Sequence, residues 1–169
     1  MNTTEPNSCD LSIDPSVNKC GWCIAENAGG QIVDWMGGTI EPEGRGIIWK
    51  SQDLFEQLRD ELNGCLIRHL VIEWPMFYGG AKGQMAAQQG YTIDLAAIAM
   101  YVAGRLLVPH KDIYLYTAPQ WKGMVPKAKT LAMFKAMFGE DAAEGLDDNA
   151  IDARMMLVHH LRKTCNSCK

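Results

Sequence analysis

The chain has no run approaching the ~18 consecutive apolar residues that a membrane span requires, so no membrane partner is expected. Its start, MNTTEPNSC, is polar and acidic and lacks the apolar centre of a secretory signal, which makes the cytoplasm the expected location. The glycine-rich stretch YGGAKG at 78–83 lacks the Lys-Ser/Thr ending of a phosphate-binding P-loop and reads as a mobile loop. No Ser-His-Asp or Cys-His arrangement stands out, so chemistry that needs a side-chain nucleophile has no candidate. Internal repeats, low-complexity tracts and interdomain linkers are lacking too. A length of 169 residues then fits one domain, with residues 1–9 and 165–169 as tails around a body of 10–164.

What is present is an ordinary globular balance, 47% hydrophobic and 21% charged residues. The net charge of −4 speaks against a nucleic-acid partner until its distribution is read. Residues 105–135 hold Arg105, Lys111, Lys122, Lys127, Lys129 and Lys135 against Asp112 alone. Affinity for a phosphate backbone depends on such a local patch more than on the total.

LSID at 11–14, GWCIAEN at 21–27 and GQIVDWMGG at 30–38 read as consecutive strands, with turn chemistry at Gly29 and Gly30. Ser51 is placed to cap a helix carrying Leu54, Phe55, Leu58 and Leu62, which Gly64 ends. HLVIEW at 69–74 is almost unbroken in its apolar character, as in a strand covered on both faces. A helix rich in small residues follows from about 84 to 107, then a strand at 113–118. Pro126 opens a helix to Phe138, with Gly139 beyond it. A last helix starts at Asp147 or Asp148. The order β-β-β-α-β-α-β-α-α predicts an α/β fold, a mixed sheet flanked by helices.

Two of these strands end alike. Asp14 closes one and is followed by Pro15; Glu73 closes another, with Pro75 two residues on. Functional groups of open α/β sheets gather at the carboxyl ends of strands. In DDNAIDARMML at 147–157, Asp148 and Asp152 stand four apart on one helix face. Such a set of hard oxygen donors suits Mg²⁺, with Mn²⁺ as substitute. Two ions about 4 Å apart activate water and stabilise the leaving oxygen of a phosphodiester.

SIDPSVNKCGWCI at 12–24 resembles the first-strand motif of the RuvC Holliday-junction resolvases, and VIEWPMF at 71–77 resembles their second acidic strand. QQGYTIDLAAIA at 88–99 is similar to the helix after it, and DDNAIDA at 147–153 to the terminal acidic motif, closest to phage-type members. The resemblance spans about residues 10–163. It implies an RNase H-like five-stranded mixed sheet, a homodimer, and paired nicking of four-way DNA junctions, in a bacterial host's cytoplasm if the gene is a phage's. It places metal ligands at Asp14, Glu73 and Asp152, with the fourth at Asp148 or, through its carbonyl, at Asn149.

DNA contacts are expected from TAPQWKGMVPKAK at 117–129, in Trp121, Lys122, Lys127 and Lys129. Lysines are unfavourable in the first turn of a helix unless an anion completes the site. Lys122 and Lys127 are the candidates for holding the scissile phosphate. Phe77 and Tyr78 are candidates for stacking on bases, and Lys82 lies in the loop beside them. Two alternatives stay open. One is an RNase H-like nuclease acting on RNA–DNA hybrids or flaps; the other is a catalytically silent DNA-binding scaffold.

Other signals carry less. Cys20 and Cys23 sit at i and i+3 of a strand and point to opposite faces, a poor geometry for chelation. Cys165 and Cys168 could join Cys9 in a structural zinc site. His159 and His160 read as helix-end surface residues, and the methionines as core filler.

Overall fold

A computed structural model describes residues 8–28, 31–76, 84–85, 88–123 and 125–164. The strands are β1 (Ser8–Asp14), β2 (Cys20–Ala28), β3 (Gln31–Ile40), β4 (Leu66–Glu73) and β5 (Ile113–Tyr116). The helices are α1 (Ile47–Leu62), α2 (Tyr91–Arg105), the one-turn α3 (Ala118–Trp121), α4 (Lys127–Phe138) and α5 (Asp148–Thr164). The strands form one sheet in the order β3-β2-β1-β4-β5. β1, β2 and β3 pair antiparallel, while β4 runs parallel to both β1 and β5. This is the mixed five-stranded sheet expected from the sequence.

Strand alternation sends side chains to two cores. On one face Cys9, Leu11, Ile13, Leu70 and Ile72 pack against Leu54 and Leu58 of α1 and Ile98 and Val102 of α2. On the other, Cys23 and Val71 pack against Phe134 of α4 and Met156 and Leu157 of α5. β1 is therefore apolar on its first face and bears Asp10, Ser12 and Asp14 on its second, the side covered by α5. Cys20 and Cys23 fall into separate cores, as their spacing predicts.

The boundaries differ from expectation in several places. β1 begins at Ser8, three residues before the expected strand, and Cys9 is fully buried in it. α1 starts at Ile47 behind Gly46. Ser51 is buried inside it and donates its hydroxyl to the Ile47 carbonyl, 2.8 Å, a mid-helix bond rather than a cap. Within the helix expected over 84–107, residues 84, 85 and 88 are helical and a separate helix begins at Tyr91, because Gly90 sits at φ 78, a left-handed conformation that interrupts the run. His160 is fully buried instead of exposed; its Nδ1 lies 3.2 Å from the Tyr116 hydroxyl, and burial, reinforced by His69, pulls its pKa down to about 4. No described helix is long and apolar enough to cross a membrane.

Candidate active site

The register brings the two strand-end acids together. Ile13 pairs with Ile72 in the parallel ladder, so Asp14 and Glu73 follow side by side, with strands about 4.8 Å apart. Both share the face that α5 covers. Across the antiparallel ladder, Asp14 stands opposite Gly21.

Gly21 lets α5 descend onto that spot. A Cβ there would lie 2.1 Å from the Asn149 carbonyl oxygen, so the helix backbone occupies the space of the missing side chain. Asp147 caps the helix, accepting from the N–H groups of Asn149 and Ala150 at 3.1 and 3.0 Å. It also accepts from the Thr39 hydroxyl at 2.6 Å and pairs with Lys19 at 3.1 Å. Asn149 donates its side-chain amide to the Lys19 carbonyl, and the Ser12 hydroxyl donates to the Ala153 carbonyl at 2.7 Å. These ties deliver Asp152, 6% exposed, to the acidic strand ends.

The three acids act on one another electrostatically. Burial, then Glu73 and Asp152, push Asp14 up to about 8, against the opposing pull of Lys122 and Lys127. Burial also raises Glu73, while a hydrogen bond from Trp121 and the charge of Lys122 work the other way. Lys122 pairs with Asp152 at 2.6 Å. Burial disfavours its charge, but the bond to Asp152 and the fields of the three acids win, so its pKa rises. The cationic group facing these carboxylates is thus the Lys122 ammonium. Among the described residues no three histidine, cysteine or carboxylate groups close around an ion in this arrangement.

The remaining candidates separate. Lys127 pairs with Asp148 at 3.4 Å, both 63% exposed. Asp148 is exposed and pairs with Lys127, apart from Asp14, Glu73 and Asp152, and Asn149 spends its side-chain N–H on the Lys19 carbonyl. Lys129 is exposed on the first turn of α4. Phe77, Tyr78 and Lys82 lie outside the described residues, as do Cys165 and Cys168.

Trp121, expected among the DNA contacts, is 9% exposed here and donates its indole N–H to Glu73 Oε2 at 2.7 Å. Its ring also carries the Lys122 ammonium 4.7 Å from the centroid. The adjacent residues 121 and 122 therefore grip two different acids. The one-turn α3 presents them, fixed by a reciprocal capping box between Thr117 and Gln120 and by Pro119 in its first turn. A buried indole needs an acceptor for its N–H, and a strand-end acid supplies one; that requirement is the sequence signal for this contact.

No protein-family profile matches the chain, and no curated protein matches it in sequence. Solved structures do resemble it. Thermus thermophilus RuvC in complex with a Holliday junction substrate shares 16% identity, with 95% of this chain and 97% of that one covered at a TM-score of 0.66. A second T. thermophilus RuvC structure gives 16% identity, 90% and 92% coverage and a TM-score of 0.60. The chain has the RNase H-like fold of these RuvC structures over nearly its whole length.

Proposed function

We propose that this protein is a divalent-metal-dependent endonuclease that resolves four-way DNA junctions by paired nicking. The observation that carries the proposal is the meeting of Asp14, Glu73 and Asp152 at the carboxyl ends of β1 and β4, backed by Lys122, in a RuvC-like fold. A purely DNA-binding surface gains nothing from three carboxylates, one buried and two half-buried, facing a polyanion.

The residues fit a hard divalent cation. All three are oxygen donors; burial first, then the charges of Glu73 and Asp152, disfavour an ionised Asp14, and a cation would relieve that repulsion. Asp14, Glu73 and Asp152 would hold Mg²⁺, or Mn²⁺ in its place, after Asp152 shares or releases Lys122. A cation bound there supplies Lewis-acid stabilisation of the phosphodiester oxygens and a more acidic water. Lys122, released by Asp152, would then be available to offset the charge of the scissile phosphate. Lys127, held by Asp148 at the first turn of α4, adds a second cation where a helix N-terminus already favours phosphate.

A symmetric junction calls for two sites on one two-fold assembly. α2 supports a homodimer: Tyr91, Ile93 and Met100 are exposed along it at 48, 67 and 59%. On this reading, with bacterial or phage DNA as substrate, the place of work would be the cytoplasm.

The test is cleavage of a synthetic four-way junction, a flap and an RNA–DNA hybrid duplex in Mg²⁺ by the wild type and by Asp14→Asn. The wild type should nick the junction in symmetric pairs. The variant should lose at least about a hundredfold in rate while still binding the junction without Mg²⁺. Undiminished cleavage by the variant refutes the site, and cleavage confined to the hybrid refutes the substrate.

A further inference from the structure

We infer that Trp121 is a positioning residue that sets the ion preference of the acidic site, by holding one of the two oxygens of Glu73. The inference rests on the proposed function and concerns which cation the site takes.

The contact is short, 2.7 Å from the indole Nε1 to Glu73 Oε2. An indole N–H is a donor only, so it has no second way of satisfying itself against a carboxylate. Trp121 is buried in the core under α4 and α5, packed with Tyr116, Phe134 and Met155, so the ring cannot swing aside without opening that core. The bond to Oε2 is therefore built into the fold. It fixes the carboxylate plane and draws electron density toward Oε2, leaving Oε1 as the better donor.

That asymmetry discriminates between cations. Ca²⁺ takes six to eight oxygens in loose geometries and often uses a carboxylate through both oxygens; Mg²⁺ demands near-octahedral ligation and usually takes one oxygen per carboxylate with several waters. A Glu73 with one oxygen engaged suits the second ion and handicaps the first. Partners that orient a ligand in this way typically change metal affinity about 10- to 100-fold when removed.

The experiment titrates the full chain with MgCl₂ and, separately, CaCl₂, reading affinity by calorimetry and by the rise in melting temperature. Trp121→Phe keeps the aromatic body and removes the N–H. It should raise the Ca²⁺-to-Mg²⁺ affinity ratio about tenfold. Phe134→Leu, in the same core, should lower the melting temperature and leave the ratio alone. An unmoved ratio in a folded Trp121→Phe overturns the inference.

A measurement on the wild type guards against a variant that fails to fold. The Trp121 indole N–H resonance should keep its slow hydrogen exchange when Mg²⁺ is bound; fast exchange in the Mg²⁺-bound protein overturns the inference equally. Failure of the wild type to bind either cation sinks the nuclease reading along with it, whereas an unmoved ratio sinks only the role of Trp121.

Discussion

The carbonyl of Asn149 fills the place of the side chain that Gly21 lacks. Because Gly21 pairs with Asp14, this contact sets how near the acidic helix comes to the strand-end acids. Gly21→Ala should force α5 away. Overpacking of this kind costs about 1–3 kcal/mol, and the displacement of Asp152 should remove junction cleavage. Gly38→Ala is the control, since its added Cβ would meet the Trp22 ring at 3.6–3.7 Å, an ordinary contact. Urea unfolding and a nicking assay on both variants check the pair; equal behaviour would show that the close approach is unimportant.

Asp14 makes stability depend on pH in a definite direction. Its folded pKa of about 8 lies above the ordinary value of 3.8. Between those values the folded chain holds a proton that the unfolded chain has released. The metal-free protein should therefore lose stability as pH rises from about 4 to 8, with a slope of at most about 1.4 kcal/mol per unit from this group. Glu73, also raised, acts in the same sense. Asp147 acts oppositely: burial resists its charge, but its bonds from Thr39 and the Ala150 N–H lower its pKa, so its contribution fades as pH falls below its ordinary range. Mg²⁺ should reverse the alkaline loss, because a cation replaces the proton. Calorimetric scans at pH 6 and 8.5 should show a larger Mg²⁺-induced rise in melting temperature at the higher pH.

Lys122 stands where positive charge is needed, so its removal should split binding from catalysis. Lys122→Gln should bind Mg²⁺ more tightly, by about tenfold, since a like charge beside the ion disappears. On the proposed function nicking should nevertheless fall sharply, because Lys122 is the cation proposed to offset the phosphate charge. Without metal, Asp152 would be left buried and unpaired, destabilising the fold by about 1–3 kcal/mol. Titration calorimetry and single-turnover nicking decide; unchanged cleavage would remove Lys122 from the chemistry.

Asp10 anchors the far end of β1. It is fully buried, accepts from Arg68 Nε at 3.0 Å and from the Asn27 amide at 2.9 Å, and has His69 Nδ1 at 2.9 Å. Arg68→Ala strips the main countercharge from a buried carboxylate and should cost about 3–5 kcal/mol. Four residue steps along the strand, about 13 Å, separate Asp10 from Asp14. Mg²⁺ affinity at 10 °C should therefore stay near that of the wild type, and a large fall would show that the two ends of the strand are coupled.

The sequence carried the acids better than their setting. Asp14 and Glu73 were legible because each ends an apolar strand just ahead of a proline, and Asp152 because it sits too deep in its helix to be a cap. The sheet followed from three strands before the first helix and alternation after it. The burial of Trp121 was not legible because it lies in a lysine-bearing segment that looks solvent-facing; only packing against the α4 and α5 side of the core turns the indole inward. Asp148 was grouped with Asp152 by its i, i+4 spacing, but α4 lies close enough to give it Lys127 instead. The true start of α1 escaped because Ser51 satisfies its hydroxyl within the helix, a bond that leaves the same sequence pattern as a cap.

The gathering of acids from residues 14, 73 and 152 has a bearing on synthesis. During translation the first two reach their sheet while the third is still unmade or inside the ribosome. A chain interrupted before the final helix would carry the scaffold without the complete carboxylate set. Cutting power, on the proposed function, would then arise only with the last stretch of polypeptide, which spares nearby DNA from half-built copies.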